Sequence, residues 1–153
     1  MKKSDRLNAF VAGLPTDPEI ALDPCYQGYF TCFNRADYYE AHDVLEHLWL
    51  QGGDANYAFF KGLIQLAGAF VHLKKQFLRP DHPKDGRRLR PAMRLFLLSM
   101  ANLKSYRPTH LQLDLEPVYA LCSGHAAAIL ASDFSINPWH PDRAPRLQLR
   151  TAS

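Results

Sequence analysis

At 153 residues the chain has the length of one domain, long enough to bury roughly two-thirds of its unfolded surface. Hydrophobic residues make up 47% and charged residues 22%, the balance of an ordinary soluble globular protein, and a formal charge of +3 is too small to mark a nucleic-acid binder by itself. Three cysteines, an odd number with no C-x-x-C, indicate neither a disulfide framework nor a zinc ribbon, so packed thiols in a reducing cytoplasm are expected.

The charge is unevenly spread. Met1 to Phe60 carries nine acids against four bases, whereas Lys74 to Arg107 carries ten bases against Asp81 and Asp85. The molecule should therefore be polarised, acidic in its first half and basic in its middle. Lys2 and Lys3 resemble the start of a signal peptide, but no apolar core of the needed length comes after them. The most apolar run, Leu63 to Val71, is too short to span a bilayer and contains Gln65.

The expected organisation is a leader over 1–23, a helical bundle over 24–132 and an extended Pro-rich tail over 133–153. The leader holds Pro15 and Pro18 and at most one helical turn around Leu7 to Val11. Asp23-Pro24 has the pattern of an N-cap with proline at the first helical position, opening a helix to about Asn34. Asp37 and Glu40 form a capping box for a second bundle helix from Tyr38, which Gly52-Gly53 ends. Asp54 can cap a third, Ala55 to about Phe77, stopped by Pro80. A fourth runs to about Lys104, and Pro91 is either its first residue or a kink. Asp114 precedes a fifth, with Pro117 in its first turn, ending near Ala131. No strand alternation longer than Leu111-Gln112-Leu113 occurs, so the class is all-α, a single bundle of about five helices.

The helix from Tyr38 concentrates the chemistry. His42 and Glu46 are four residues apart and project from nearly one side, rotated by about 40°. Tyr39 and Trp49 flank them at three residues on either side and should be buried, which would place the pair at an edge of the core. On the next helix Lys61, Gln65 and His72 share a side with Gly68 and Ala69. A short Gly-Gly connection makes the two helices antiparallel neighbours. His42 should then approach His72, and Glu46 should approach Gln65 or Gly68. Asp43 and His47, also four apart, should form a separate exposed pair.

Two chemistries suit that set. His42, Glu46 and His72 could hold a divalent metal with open positions for water. Without a metal, Glu46 would orient His42 as a general base and Gln65 would position a substrate, with Tyr39, Trp49, Lys61 and His72 as ligand-binding walls. Against both stands a structural reading, in which a His-Glu-Gln lock satisfies its own hydrogen bonds and fixes a helix crossing. Arg87, Arg88, Arg90 and Arg94 form a candidate anion-binding group, or a solvated surface. They lack the interleaved aromatics that stack bases, so nucleic acid is not expected.

The order Phe33-Asn34, Tyr38-Tyr39-Glu40-Ala41-His42-Asp43-Val44-Leu45-Glu46 with Trp49, then Gly62-Leu63-Ile64-Gln65-Leu66-Ala67 and His72, resembles a domain family of unknown function, the one numbered 309. The resemblance covers roughly Gly28 to Leu103. It implies a compact all-helical fold and no established activity, and its signature polar residues fall on His42, Glu46, Gln65 and His72. Asp43 stands where the family often has Glu. The sequence thus leaves two functions open. One is a small-molecule binding or hydrolytic site between the helices at Tyr38 and Ala55. The other is a non-catalytic interaction module with a basic surface for an acidic partner. No cofactor beyond a divalent metal is suggested, no membrane partner is expected, and homo-oligomerisation stays open.

Overall fold

A computed structural model describes residues 2–17, 20, 22–53 and 55–150. Among them are six α-helices: α1 (Lys3–Ala12), α2 (Pro24–Asn34), α3 (Tyr38–Leu50), α4 (Tyr57–Leu78), α5 (Leu89–Leu103) and α6 (Leu115–Ala131). The described residues are all-α apart from a hairpin of two-residue strands, in which β1 (Thr109–His110) pairs antiparallel with β2 (Leu113–Asp114). Its tight turn runs through Leu111 and Gln112, both with positive φ.

From α2 to α6 each helix packs antiparallel on the next, and α4 lies between α3 and α5. Contacts fix the directions. Gly28 on α2 faces Val44 on α3, while Phe33 and Tyr38 meet at the other end with ring centroids 5.3 Å apart. Trp49 stacks at a tilt on Tyr57 where α3 hands over to α4. Tyr119 on α6 bonds the Met100 carbonyl on α5.

The core is aromatic at its centre. Phe33, Tyr38, Phe70 and Phe96 are fully buried, and each touches Phe70 or is Phe70 itself. Edge-to-face and offset pairs of this kind stabilise by about 0.5–1.5 kcal/mol beyond the area they bury. Buried hydroxyls are satisfied: Tyr29 donates to the Leu63 carbonyl at 2.6 Å, and Tyr38 accepts from the Trp139 indole at 3.0 Å. Trp139 belongs to the segment after α6, which has no α-helix among its described residues and one 3-10 turn at Pro141–Arg143. Asn34 pins that segment by donating to the Leu147 carbonyl and accepting from its N–H, both at 2.7 Å.

Local signals are met unevenly. Asp23 caps α2 through Cys25 N–H, and Asp114 caps α6 through Glu116 N–H, as their positions before proline-bearing first turns require. Gly52 and Gly53 end α3 with φ of 88° and 125°, conformations that strain any other residue. The Asp37 capping box does not form: Asp37 makes no side-chain cap bond. The chain leaves α2 through Ala36 at φ 61°, and the Asp37 N–H closes that turn on the Cys32 carbonyl at 2.9 Å. The backbone is therefore set by the exit from α2, away from the extended conformation an N-cap uses. The long helix begins at Tyr57 behind Asn56, two residues later than expected, and the Asp54 cap lies outside the described residues. Pro91 sits in the first turn of α5 without a kink, where its missing N–H has no helical partner to lose. The leader holds a full helix instead of one turn, because Val11 and Leu7 pack on Cys25, Val44 and Leu48.

Two glycines test this packing in opposite directions. A methyl group on Gly62 would meet Leu103 at 2.7 Å and the Ser99 carbonyl at 3.2 Å, so Gly62→Ala must push α5 from α4. Overpacking costs typically about 1–3 kcal/mol, more than the ~1 kcal/mol that alanine gains in helix propensity. Gly124 on α6 has nothing within 4 Å, so Gly124→Ala should stabilise by about 0.5–1 kcal/mol. Urea denaturation of the two variants should move the midpoint down for the first and up for the second.

Candidate functional site

The expected convergence of His42, Glu46, Gln65 and His72 does not occur. His42 and Glu46 sit on α3, each side chain 31% exposed, and neither bonds to α4. His42 Nδ1 lies 3.2 Å from Asp43 Oδ1, and its Nε2 lies 3.8 Å from Glu46 Oε2. Asp43 therefore pairs with His42 and not with His47, which meets the Gln51 amide at 3.2 Å. The histidine sits between two carboxylates of its own helix at the surface.

The polar side of α4 faces α5. Asn102 Nδ2 donates to Gln65 Oε1 at 2.7 Å, and Arg88 Nη1 donates to His72 Nδ1 at 3.0 Å. Between them Gly68 lies against Leu95. The physical reason is the close approach at Gly62, where Ser99 donates to the Gly62 carbonyl at 2.7 Å. Small residues draw the nearest helix to that side, and here the nearest helix is α5. An almost wholly apolar α4 gives periodicity no means of choosing between its two neighbours.

The expected ligand walls separate as well. Tyr39 is 59% exposed. Trp49 is half-buried against Tyr57, and its Nε1 is buried without a hydrogen-bond partner among the described residues. Lys61 hangs 6.0 Å from the Tyr57 ring. A cleft of about 360 Å³ between α1 and α3 is walled by Arg6, Phe10, Tyr39, Glu40 and Asp43, but not by His42 or Glu46. Among the described residues no three His, Cys, Asp or Glu side chains are grouped to hold a metal, so the triad His42, Glu46 and His72 is not formed.

The arginine group divides. Arg88 turns inward, its side chain 13% exposed, and bonds Asp85 through Nε at 3.1 Å and through Nη2. Asp85 also takes Arg79 at 2.9 Å, and Gln76 accepts the Arg88 backbone N–H at 2.7 Å. Arg88 is thus the hub of a clamp joining the end of α4 to the start of α5. Arg87, Arg90 and Arg94 stay exposed. Arg90 stacks 4.0 Å over the Phe134 ring, and Arg87 and Arg94 have no ion-pair partner among the described residues. Arg90 joins two depressions. One, of about 290 Å³, adds Arg87, Leu89 and Phe134. The other, of about 360 Å³, adds Met93, Arg94, Leu97 and Leu98. Sequence reasoning weighs the arginines and misses these leucines. Their signal is Leu97-Leu98 continuing the Arg90–Arg94 side of a helix that buries Ala92, Phe96 and Ser99 on the other.

Nucleophilic chemistry finds no activated thiol. Burial, aided by Asp23, pushes the Cys25 thiol up to about 11, and burial pushes Cys122 up to about 12. Cys32 is likewise raised to about 11. All three stay protonated at neutral pH.

The bundle carries one recognisable family segment. Residues 26–79 match the model of the family described as Domain of unknown function (DUF309), a span that takes in most of α2 and all of α3 and α4. No curated protein and no solved structure matches the chain. No helix among the described residues is long and apolar enough to cross a membrane.

The clamp predicts an acid response. Arginine can only donate, so His72 Nδ1 must accept, and the ring is neutral with its proton on Nε2. Burial, then Arg88 and Lys75, pushes the His72 pKa down to about 4. An unfolded chain takes up that proton near pH 6.5. Between about pH 6.5 and 4 the unfolded state binds more protons, so stability falls as pH falls and levels off for this group below about 4. Burial lowers His110 and His125 in the same direction. His72→Gln keeps an acceptor for Arg88 and removes the proton site, so it should flatten this slope. Thermal unfolding in a pH series is the check, and parallel slopes for the two proteins would exclude His72 as a contributor.

Proposed function

We propose that this chain is a non-catalytic helical interaction module that takes an acidic, apolar-faced helical segment of a protein partner along the outer side of α5. One observation carries the reading: an apolar depression lined by Met93, Leu97 and Leu98 is bordered by arginines without carboxylate partners. Leu97 is 49% and Leu98 37% exposed, an unusual pairing for a helix face that only meets water. From Arg87 to Ala131 the sequence holds two acids, Asp114 and Glu116, and these pair with Arg150 and Arg107. The α5 side therefore presents cations and apolar surface with no carboxylate to neutralise it. An amphipathic helix laid in such a groove buries its leucines while its glutamates meet the rim. The rim charges give orientation and encounter rate, and the apolar floor gives most of the affinity.

The distribution of the polar residues supports this reading over a hydrolytic site. Gln65 Oε1 accepts from Asn102 and His72 Nδ1 from Arg88, and His42 and Glu46 stand on a different surface. Glu46→Ala should accordingly change stability by less than about 0.5 kcal/mol, as surface substitutions do, and leave peptide binding at α5 unchanged.

A fluorescent Leu/Glu amphipathic helical peptide is the probe. It should bind the wild-type chain, weaken with added salt, and bind an Arg90→Glu, Arg94→Glu variant at least about tenfold less tightly, about 1.4 kcal/mol. Both side chains are exposed, so the circular dichroism spectrum should not change. Equal affinity for wild type and variant overturns the reading.

A further inference from the structure

We infer that the acidic segment is supplied by a second copy of this chain, through the outward side of α3, giving head-to-tail self-association. This rests on the α5 reading above. On α3 the residues Tyr39, Asp43, Glu46 and Leu50 recur at intervals of four, three and four and lie within an arc of about 60°. On α5 the residues Arg90, Arg94, Leu97 and Ala101 recur at the same intervals. The α3 stripe carries carboxylates in its middle, Asp43 17% and Glu46 31% exposed on either side of His42, and exposed apolar groups at both ends, with Leu50 70% exposed. The α5 stripe carries two arginines followed by apolar groups. In parallel register Tyr39 stands opposite Arg90, Asp43 opposite Arg94, Glu46 opposite Leu97 one turn from Arg94, and Leu50 opposite Ala101. That register matches a cation with an aromatic face, a cation with a carboxylate, and apolar with apolar surface.

The two stripes cannot meet within one molecule, because α4 lies between α3 and α5. They can meet only between molecules. Each copy then offers one acidic and one basic face, so the contact is heterologous and propagates into a ring or an open chain. Lys3 and Arg6 share the α1–α3 cleft with Glu40 and Asp43 but close no ion pair on them among the described residues. Glu46 lies beyond that cleft and is the better single probe of the face.

Sedimentation velocity of the full chain over a concentration series tests the inference. The wild-type average mass should rise with concentration and fall back with salt. The Arg90→Glu, Arg94→Glu variant and an Asp43→Arg, Glu46→Arg variant should each sediment as monomers. Mixed, the two should associate again, since the intact basic face of one meets the intact acidic face of the other. A wild-type chain that stays monomeric, or an acidic-face variant that associates like wild type, overturns self-association. If the Leu/Glu peptide still binds such a monomeric chain at α5, the groove belongs to a foreign protein and only this inference falls. If the peptide fails as well, both readings fall together.

Discussion

The close approach of α5 to α4 at Gly62 fixes the register on which the polar contacts between these two helices depend. Ser99 reaches the Gly62 carbonyl, and Leu103 occupies the space a side chain would fill. With that contact fixed, the antiparallel register brings Asn102 to Gln65 at one end and Arg88 to His72 at the other. The two polar pairs are the rim of one helix interface. Each side chain there satisfies a partner that would otherwise be half-buried and unpaired, a deficit of about 1–3 kcal/mol. The same register decides which side of α5 is left over, and that side carries Arg90, Arg94, Leu97 and Leu98.

Much of the architecture is legible in the sequence because it is written in short-range chemistry. Asp23-Pro24, Gly52-Gly53 and Asp114 act on their own backbones, and the structure uses them as their types demand. The features that are not legible depend on contacts distant in sequence. Asp37 looks like a cap, yet its backbone belongs to the turn that closes α2. The polar stripe of α4 looks like a site facing α3, because α3 is the neighbour that sequence proximity suggests. Gly62 and Gly68 hold the better clue: small residues on the stripe itself mark the side of closest approach, and their facing helix comes later in the chain. His42 and Glu46 form the i,i+4 pair that their spacing implies, but not a buried one, since Tyr39 turns outward instead of covering them.

The family match ends at residue 79, and the partners of its polar residues do not. Gln65 and His72 lie inside the matched segment, whereas Asn102 and Arg88 lie beyond it. Tyr38 is inside, and the Trp139 indole that bonds it is outside. The matched α2–α4 unit therefore leaves donors and acceptors that the rest of this chain completes. Gln65 and His72 lie, in this molecule, at the seam where α5 attaches, whereas His42 and Glu46 do not. His72 illustrates the point most sharply, because a neutral imidazole pressed against a guanidinium serves as an acceptor and is a poor proton carrier near neutrality.

The arginines show how one basic run divides into structure and surface. Asp85 accepts from Arg79 and Arg88, so the carboxylate nearest the start of α5 is already paired. The next acids along the chain, Asp114 and Glu116, are taken by Arg150 and Arg107. Arg90 leans on Phe134, and Arg87 and Arg94 are left facing water. A cation in water contributes almost nothing to folding, and exposed leucines beside it contribute nothing either. Their pairing on one helix side is thus unexplained by the stability of the bundle. The proposed docking of a carboxylate-bearing helix along that side would account for it.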